Sequence, residues 1–456
     1  MLIIKSDIPS DQQSEMPDKT CESVLALQYQ LEKSQWYSPQ TIQLQQFKKL
    51  LPLLLHAKLT VPYYKKSLSN LMIDTNSNIN VDLWKTIPIL TRDDVRDRSD
   101  ELTSPSIPPE HGQVFDVSSS GSTGKPIKIK STALSAFMWQ AGSIRDHIWH
   151  GRDLDKKLAV IRRLPDGIGA CPDGDHYNNW GRETRDLCVT GALSVLDIRA
   201  KVDEQYEWLS QVKPDYLLTY PSNMMAIAQY INKFNKQPIL LQEIRTIGEM
   251  LTTEMRQDAQ KIFNTKITDL YSCQEAGYIA LQCPQGTEYH IQSENVFVEI
   301  LDEKGNDCQP GETGRVIISS LNNYATPLIR YEIGDYAEVG SPCACGRGLM
   351  TLKAIKGRIR NMLIHPDGKQ EWVVNLAGCF TNIVDIDQFQ FVQNNKTELE
   401  VYLVTKNALT VEQEQNLIKN IQERLGKYFN ITIKYTDQIK RGKGGKFEDF
   451  ISNILT

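Results

Sequence analysis

The sequence predicts an α/β protein with a large N-terminal domain of several parts and a small α+β domain at the C-terminal end. Three observations predict it. Between residues 158 and 272, short apolar runs of strand length alternate with helical patterns: LAVIRR (158–163), LSVLDI (193–198), DYLLTYP (215–221), IRTIGE (244–249) and KITDLYS (266–272). That alternation marks a layered unit with a largely parallel sheet. From residue 289 the pattern changes to apolar–polar alternation with turns at DEKGN and PGETG, which is antiparallel β and continues through PLIRYEIGDYAEV. Beyond GRIRN (357–361), the strand-like FQFV, LEVYLV and ITIKY and one helix suffice for a separate small domain. The boundaries expected are 1–357 for the large domain, with N-terminal helices in 1–70 and a β-rich part in 289–350, and 358–456 for the small one.

The bulk numbers agree with this division. A chain of 456 residues exceeds what one core usually holds, so two or three domains are expected. Apolar content of 40% and charged content of 23% describe ordinary globular material. A net charge of −5 gives no general attraction to nucleic acid or to an anionic membrane, and neither is expected as a partner. MLIIKSDIPSDQQSE does not read as a signal peptide. The longest apolar stretch, residues 50–57, is broken by Pro52 and His56 and is too short to span a bilayer. Nine cysteines, an odd count, argue for cytoplasmic thiols or a metal site rather than a disulfide framework.

In chain order, Leu25, Leu27, Leu31, Leu44, Phe47, Leu50, Leu51 and Leu54 recur at helical spacing and predict a packing pair of helices over 21–57, with Pro62 ending the helical region. Thr91 and Asp94 form a capping box that opens the next helix. VSSSGSTGKP (117–126) lies between Val114–Phe115 and Ile127–Ile129 and reads as strand, polar hairpin-like loop, strand. Gly121 and Gly124 allow positive φ, so that N–H groups, hydroxyls and one ammonium converge as a polyphosphate requires. It is not a Walker A loop, because Ser119 stands at the first Gly position and Pro126 where a Ser or Thr should be. A solvated Ser/Gly linker is the other reading of that composition.

Residues 133–150 are a helix candidate, Ser222 is a natural cap for SNMMAIAQYI, and EMRQDAQKIF is helical. Ligands gather at the carboxyl ends of parallel strands, where Gly248–Glu249, Tyr271–Ser272 and CQEAG fall. Glu275 there suits a metal ion or a helix N-terminus. Asp335 suits ligand hydroxyls or a tight turn. Trp139, Trp180, Tyr220 and Met224 are either pocket lining or plain core. The polar loop 169–185 reads as substrate-facing or as an interface. Thr410 and Gln413 cap a helix carrying Leu417, Ile418, Ile421 and Leu425, and the basic run from Lys440 to Lys446 reads as a solvated loop or a weak anion patch.

The Ser/Thr/Gly loop with its Lys and Pro, then YSCQEAG, IGDY, GRIRN and GGKF, in that order, resemble the adenylate-forming enzymes. HAKLTVPYYK, NNYATPLIRYEIGDYAEV and CACGRG are similar to the phenylacetate–CoA ligase branch, with its CapK-related and coenzyme F390 synthetase-like members. The resemblance runs from about residue 45 to the end. It implies that Ser118, Ser119, Ser120, Gly121, Ser122, Thr123, Gly124 and Lys125 wrap the phosphates of ATP, and that Glu275 holds Mg²⁺. It implies that Gly248, Glu249 and Tyr271 border the adenine and the acyl pocket, and that Asp335 and Arg358 bind the ribose. Lys446 matches the lysine of a mobile lid, with Lys443 as rival, and Arg360 stands at the hinge.

The implied chemistry is attack of a small carboxylic acid on ATP to give an acyl-adenylate and pyrophosphate, followed by transfer to CoA; an aryl or related acid is expected. The post-hinge segment HPDGKQEW lacks the Gly-rich loop of CoA-using relatives, so an amine or a carrier-protein thiol stands as the alternative acceptor. A zinc-stabilised nucleotide-binding protein without turnover is a third reading. Relatives in this branch can carry a Cys/His cluster, and Cys283, His290, Cys343 and Cys345 then form a closed structural Zn²⁺ site. Relatives are often dimers, so a homodimer is an open expectation.

Overall fold

The computed structural model describes residues 19–454, apart from 77–78, 120–125, 186, 374–375 and 381–385. Its frame is one long mixed sheet. The described strands run across it in the order Val296–Leu301, Thr313–Ser320, Tyr331–Val339, Thr351–Arg358, Tyr289–Ile291, Gly277–Gln282, Lys266–Cys273, Glu243–Ile247, Tyr216–Thr219, Leu158–Arg162, Leu193–Asp197 and Asp175–Tyr177. Five strands from 158–162 to 266–273 are parallel, as the strand–helix alternation predicts. From Gly277 onward every described pairing within this long sheet is antiparallel. The pairing changes at Gly277, a strand earlier than the change of pattern expected at residue 289, and the pattern does not reveal that both parts share one sheet.

Within the parallel part the chain starts in the middle. Strand 158–162 pairs with 193–197 on one side and with 216–219 on the other. The order reverses there, and the carboxyl ends on either side of such a reversal leave a crevice for ligands. Helices Val202–Val212, Pro221–Lys233 and Thr253–Phe263 cover one face through Trp208, Leu209, Met224, Ile227 and Phe263. Helix Ala133–Trp149 packs on strand Gly277–Gln282 through Trp139 and Tyr278. Among the described residues, no helix is long and apolar enough to cross a membrane.

The N-terminal helices are Lys19–Ser34 and Pro39–Thr60; the second buries Phe47, Leu50, Leu53 and Leu54 against the antiparallel part. Pro62 does not end the helical region. It occupies the first turn of a further short helix, Pro62–Ser67, where its missing N–H costs nothing. The capping box at Thr91 and Asp94 forms as predicted. Ser222 is not a cap: helix Pro221–Lys233 begins one residue earlier, with Tyr220 at the cap position, and the Ser222 N–H goes elsewhere. Asp335 lies inside strand Tyr331–Val339 rather than in a turn, beside Gly334 at φ +86°. The polar loop 169–185 supplies the edge strand Asp175–Tyr177 and the short helix Arg182–Arg185.

After the turn Ile359–Asn361, a hairpin of Met362–Ile364 and Gln370–Trp372 leads into a second sheet. Its order is Asn430–Tyr435, Glu398–Thr405, Ile386–Asn395, Phe450–Ser452. Helix Val411–Leu425 has its predicted capping box and packs Leu417, Ile421 and Leu425 into a core with Phe391, Leu399, Val401 and Phe450. That core is separate from those of the large sheet.

Candidate active site

The crevice at the order reversal is filled by residues 441–447, which lie on the carboxyl ends of four parallel strands. Gly445, at φ +77°, leaves no room for a Cβ, which would stand 2.7 Å from Arg163 Cβ and 3.1 Å from Ile198 Cγ2. The Tyr220 hydroxyl donates to the Gly444 carbonyl at 2.9 Å. Gly248, at φ +83°, ends the strand Glu243–Ile247, and a Cβ there would lie 3.2 Å from Lys446 Cε and 3.7 Å from its Nζ. The basic run is therefore not a solvated loop at this point. Lys446 lies in the crevice beside Gly248, whereas Lys443 is exposed.

Burial and the Arg358 guanidinium draw the Lys446 pKa below the usual lysine value, while Asp335, Glu249 and Glu275 oppose the shift. All four groups predicted from sequence are thus within electrostatic reach of the ammonium. Asp335 Oδ2 accepts the Tyr271 hydroxyl at 3.0 Å, and Arg358 Nε lies 3.4 Å from Oδ1, across a strand pair that places the two residues opposite each other. Burial and the Asp335 carboxylate push the Tyr271 phenol well above its ordinary value, which keeps it a donor. Glu275 follows strand Lys266–Cys273 and is buried, with Arg92 Nη1 3.6 Å from Oε1.

The predicted strand–loop–strand is an antiparallel pair, Val114–Ser118 with Lys128–Thr132, in a sheet of its own. Ser118 ends its first strand, exposed. The Ser119 N–H donates to the Ile127 carbonyl and its Oγ accepts the Ile127 N–H, both at 2.9 Å. Ser120, Gly121, Ser122, Thr123, Gly124 and Lys125 lie outside the described residues. Arg360 sits in the turn Ile359–Asn361 between the two sheets, its Nε 3.1 Å from Glu448 Oε1.

Of the suggested pocket residues, Trp180 and Met224 are core: Trp180 packs on Tyr216 and donates to the Lys156 carbonyl, and Met224 is fully buried. Tyr220 holds the 441–447 loop, and Trp139 lies against Gly277, two residues from Glu275. Arg441, Arg92 and Ser222 were not picked out as site residues from the sequence. Each acts through a partner more than a hundred residues away, for which local pattern holds no signal.

A second cluster lies on the antiparallel part. Cys283, His290, Cys343 and Cys345 place one donor atom each within 4.8 Å of one another. Cys343 Sγ is 3.7 Å from Cys283 Sγ, and Cys345 Sγ is 3.3 Å from His290 Nε2. Tetrahedral Zn²⁺ with ordinary bond lengths separates two sulfurs by about 3.8 Å and a sulfur from a nitrogen by about 3.5 Å, so the donor set fits that ion. Burial and Arg347 lower the His290 pKa to about 4, which keeps the imidazole in its ligating neutral form. None of the nine cysteines is in a disulfide.

The chain is similar to known proteins in both sequence and fold. Residues 363–453 match the family model of the CapK C-terminal domain. Over 423 residues the chain is 24% identical to Protein CapK of Staphylococcus aureus, covering 86% of this chain and 83% of that protein. It is also 24% identical to a phenylacetate-coenzyme A ligase of Thermus thermophilus, over 85% of this chain and 91% of the relative. A crystal structure of 2-hydroxyisobutyryl-CoA ligase in the postadenylation state with 2-HIB-AMP superposes with a TM-score of 0.68 at 16% identity, covering 90% of this chain and 89% of the other. The fold is therefore that of the adenylate-forming CoA ligases. Within that class the chain is a homologue of CapK and of the phenylacetate-CoA ligases.

Proposed function

We propose that this chain is an AMP-forming acid–thiol ligase: it activates a carboxylic acid with ATP as an acyl-adenylate and passes the acyl group to the thiol of CoA. The observation that carries the reading is the seating of Lys446 over Gly248 within reach of Asp335, Glu249 and Glu275, at the carboxyl ends of the parallel strands. A carboxylate attacking the α-phosphorus of ATP is an anion meeting an anion. A desolvated ammonium at that point offsets the repulsion and stabilises the charge that builds on the phosphorus oxygens. Asp335, oriented by Tyr271 and Arg358, offers its carboxylate to the ribose hydroxyls. The loop from Ser118 to Lys125 wraps the phosphates.

Glu275 is a buried carboxylate whose cationic neighbour Arg92 stands at 3.6 Å, which leaves oxygen lone pairs for a metal ion. Mg²⁺ takes one or two carboxylates together with substrate phosphates, and bound there it would neutralise phosphate charge. Zn²⁺ in the Cys283–His290–Cys343–Cys345 set would be structural, since four protein ligands leave no open position, and would pin the β-rich part to the segment after Asp335. The expected boundary at 358 falls at the end of strand Thr351–Arg358 of the large sheet, so the lid is the part of the chain beyond the hinge, and after adenylation it rotates about Arg360, breaking the pair of Arg360 with Glu448. Transfer to an amine or a carrier thiol is the alternative for the second step, favoured by a post-hinge segment that forms a plain hairpin, 362–372.

The test is pyrophosphate release from ATP and Mg²⁺ with a panel of aryl and aliphatic carboxylic acids, followed by discharge with CoA, hydroxylamine or an amine. Release with at least one acid and discharge by CoA are expected. No release with any acid would remove the reading.

A further inference from the structure

We infer that Glu249 is the latch that holds the C-terminal unit in its carboxylate-activating position, with Arg441 as its counterpart, and that neither residue is a ligand of the nucleotide. The inference rests on the proposed function for what the position does, and on the contacts alone for the latch. Glu249 directly follows Gly248, and its side chain is 7% exposed. Its two oxygens are divided between the two units. Oε2 accepts the Ser222 N–H at 2.9 Å, in the first turn of helix Pro221–Lys233, where the helix presents positive partial charge. Oε1 accepts the Phe447 N–H at 2.6 Å and lies 3.6 Å from Arg441 Nη1. Arg441 Nη1 also donates to Ser222 Oγ at 2.8 Å and to the Gly445 carbonyl at 3.2 Å.

Phe447 is the residue after Lys446. A carboxylate that fixes its N–H fixes the backbone from which the lysine projects over Gly248. Around this bond the Tyr220–Gly444 hydrogen bond and the close seat of Gly445 complete the fit. Both oxygens of Glu249 are engaged, and a further anion beside the phosphates of ATP would repel them. Both facts argue against a role in holding the nucleotide. When the C-terminal unit swings away, Glu249 loses the Phe447 N–H and Arg441 together and keeps only Ser222. The closed position is thus the one in which this buried charge is satisfied.

The test compares full-length wild type with Arg441→Gln, Glu249→Gln and Gly445→Ala. The last keeps every charge but places a Cβ where φ is +77° and Arg163 Cβ is 2.7 Å away. Hydrogen exchange at the amides of 444–447, measured without substrate, reads the latch directly and needs no activity. Faster exchange there, with exchange in strands 243–247 and 266–273 unchanged, is expected in all three variants. Pyrophosphate exchange should fall roughly 10- to 100-fold, the loss expected for a charge-assisted hydrogen bond, through kcat and not through the KM for ATP. Thioester formation from added acyl-adenylate and CoA should not fall with it. Unchanged exchange at 444–447 in the charge variants would overturn the inference. So would a loss carried by the KM for ATP, which would return Glu249 to the nucleotide site. If wild type releases no pyrophosphate with any acid, the proposed function fails while the exchange result still decides the latch.

Discussion

Replacing Lys446 with Ala removes the ammonium and leaves Asp335, Glu249 and Glu275 facing an incoming polyphosphate with Arg358 as the remaining cation of that set. At an effective dielectric of about 20, two unit charges 4 Å apart interact by about 4 kcal/mol. Loss of one preorganised donor aimed at developing negative charge costs roughly 10²- to 10³-fold in kcat, which is the same scale. The KM for ATP should change little, because the ribose contact proposed for Asp335, which Tyr271 and Arg358 orient, remains in place. The pH profile supplies a second signature. Only the protonated amine can act, so adenylation is full below the Lys446 pKa and is lost as pH rises through it. Burial and Arg358 lower that pKa, so the alkaline limb should fall earlier than an exposed lysine would give, and it should vanish from the residual activity of the variant. ATP–pyrophosphate exchange over a range of pH measures both effects. An exchange rate equal to wild type, or a loss explained wholly by ATP affinity, would refute the reasoning.

Other perturbations separate the remaining groups. Asp335→Ala should weaken ATP binding by roughly 10- to 100-fold in a calorimetric titration, since it removes the carboxylate that Tyr271 and Arg358 orient. Protein purified without chelator should carry about one equivalent of zinc by elemental analysis, and Cys345→Ser should lower both that content and the melting temperature. Asp269 tests the buried polar layer: burial raises its pKa to about 6 although the Thr246 and Tyr289 hydroxyls both donate to it. A carboxyl that titrates higher when folded than when unfolded binds more protons in the native state between about pH 4 and 6. Its contribution is therefore most favourable below that window and declines by up to about 3 kcal/mol as pH rises through it. Asp269→Asn should make the slope of melting temperature against pH more positive between pH 4 and 6 than in wild type; an unchanged slope would refute this assignment.

What was legible in the sequence follows the range of the interactions involved. The parallel strands and the capped helix Val411–Leu425 are set by periodicity and by neighbours three or four residues apart, so pattern locates them within a residue or two, whereas the antiparallel part begins one strand before residue 289, at Gly277. The errors occur where a local rule met a distant partner. Ser222 has the chemistry of a cap, but Pro221 starts the helix earlier, and the freed N–H goes to Glu249. The basic run from 440 to 446 has the composition of a solvated loop, yet its glycines let it enter a crevice formed by residues 163, 198, 220 and 248. Asp335 next to a glycine looks like a turn, but the strand continues through positive φ at Gly334 and pairs Asp335 with Arg358. In each case the missing information is the tertiary partner: for Ser222 and Asp335 it lies within the large unit, and for the basic run it lies across the closed arrangement of the two units. By the same consideration Lys446 is legible in the sequence and Arg441 is not. Lys446 sits in a short Gly-Gly-Lys-Phe string that matches a known pattern, whereas Arg441 gains its significance only from a carboxylate 192 residues earlier in the chain. A lid must be held weakly enough to open, and a contact of that kind consists of a few polar groups whose partners lie across the hinge. Such contacts leave no periodicity in either segment, so the residues that govern opening are the ones a sequence pattern is least able to reveal.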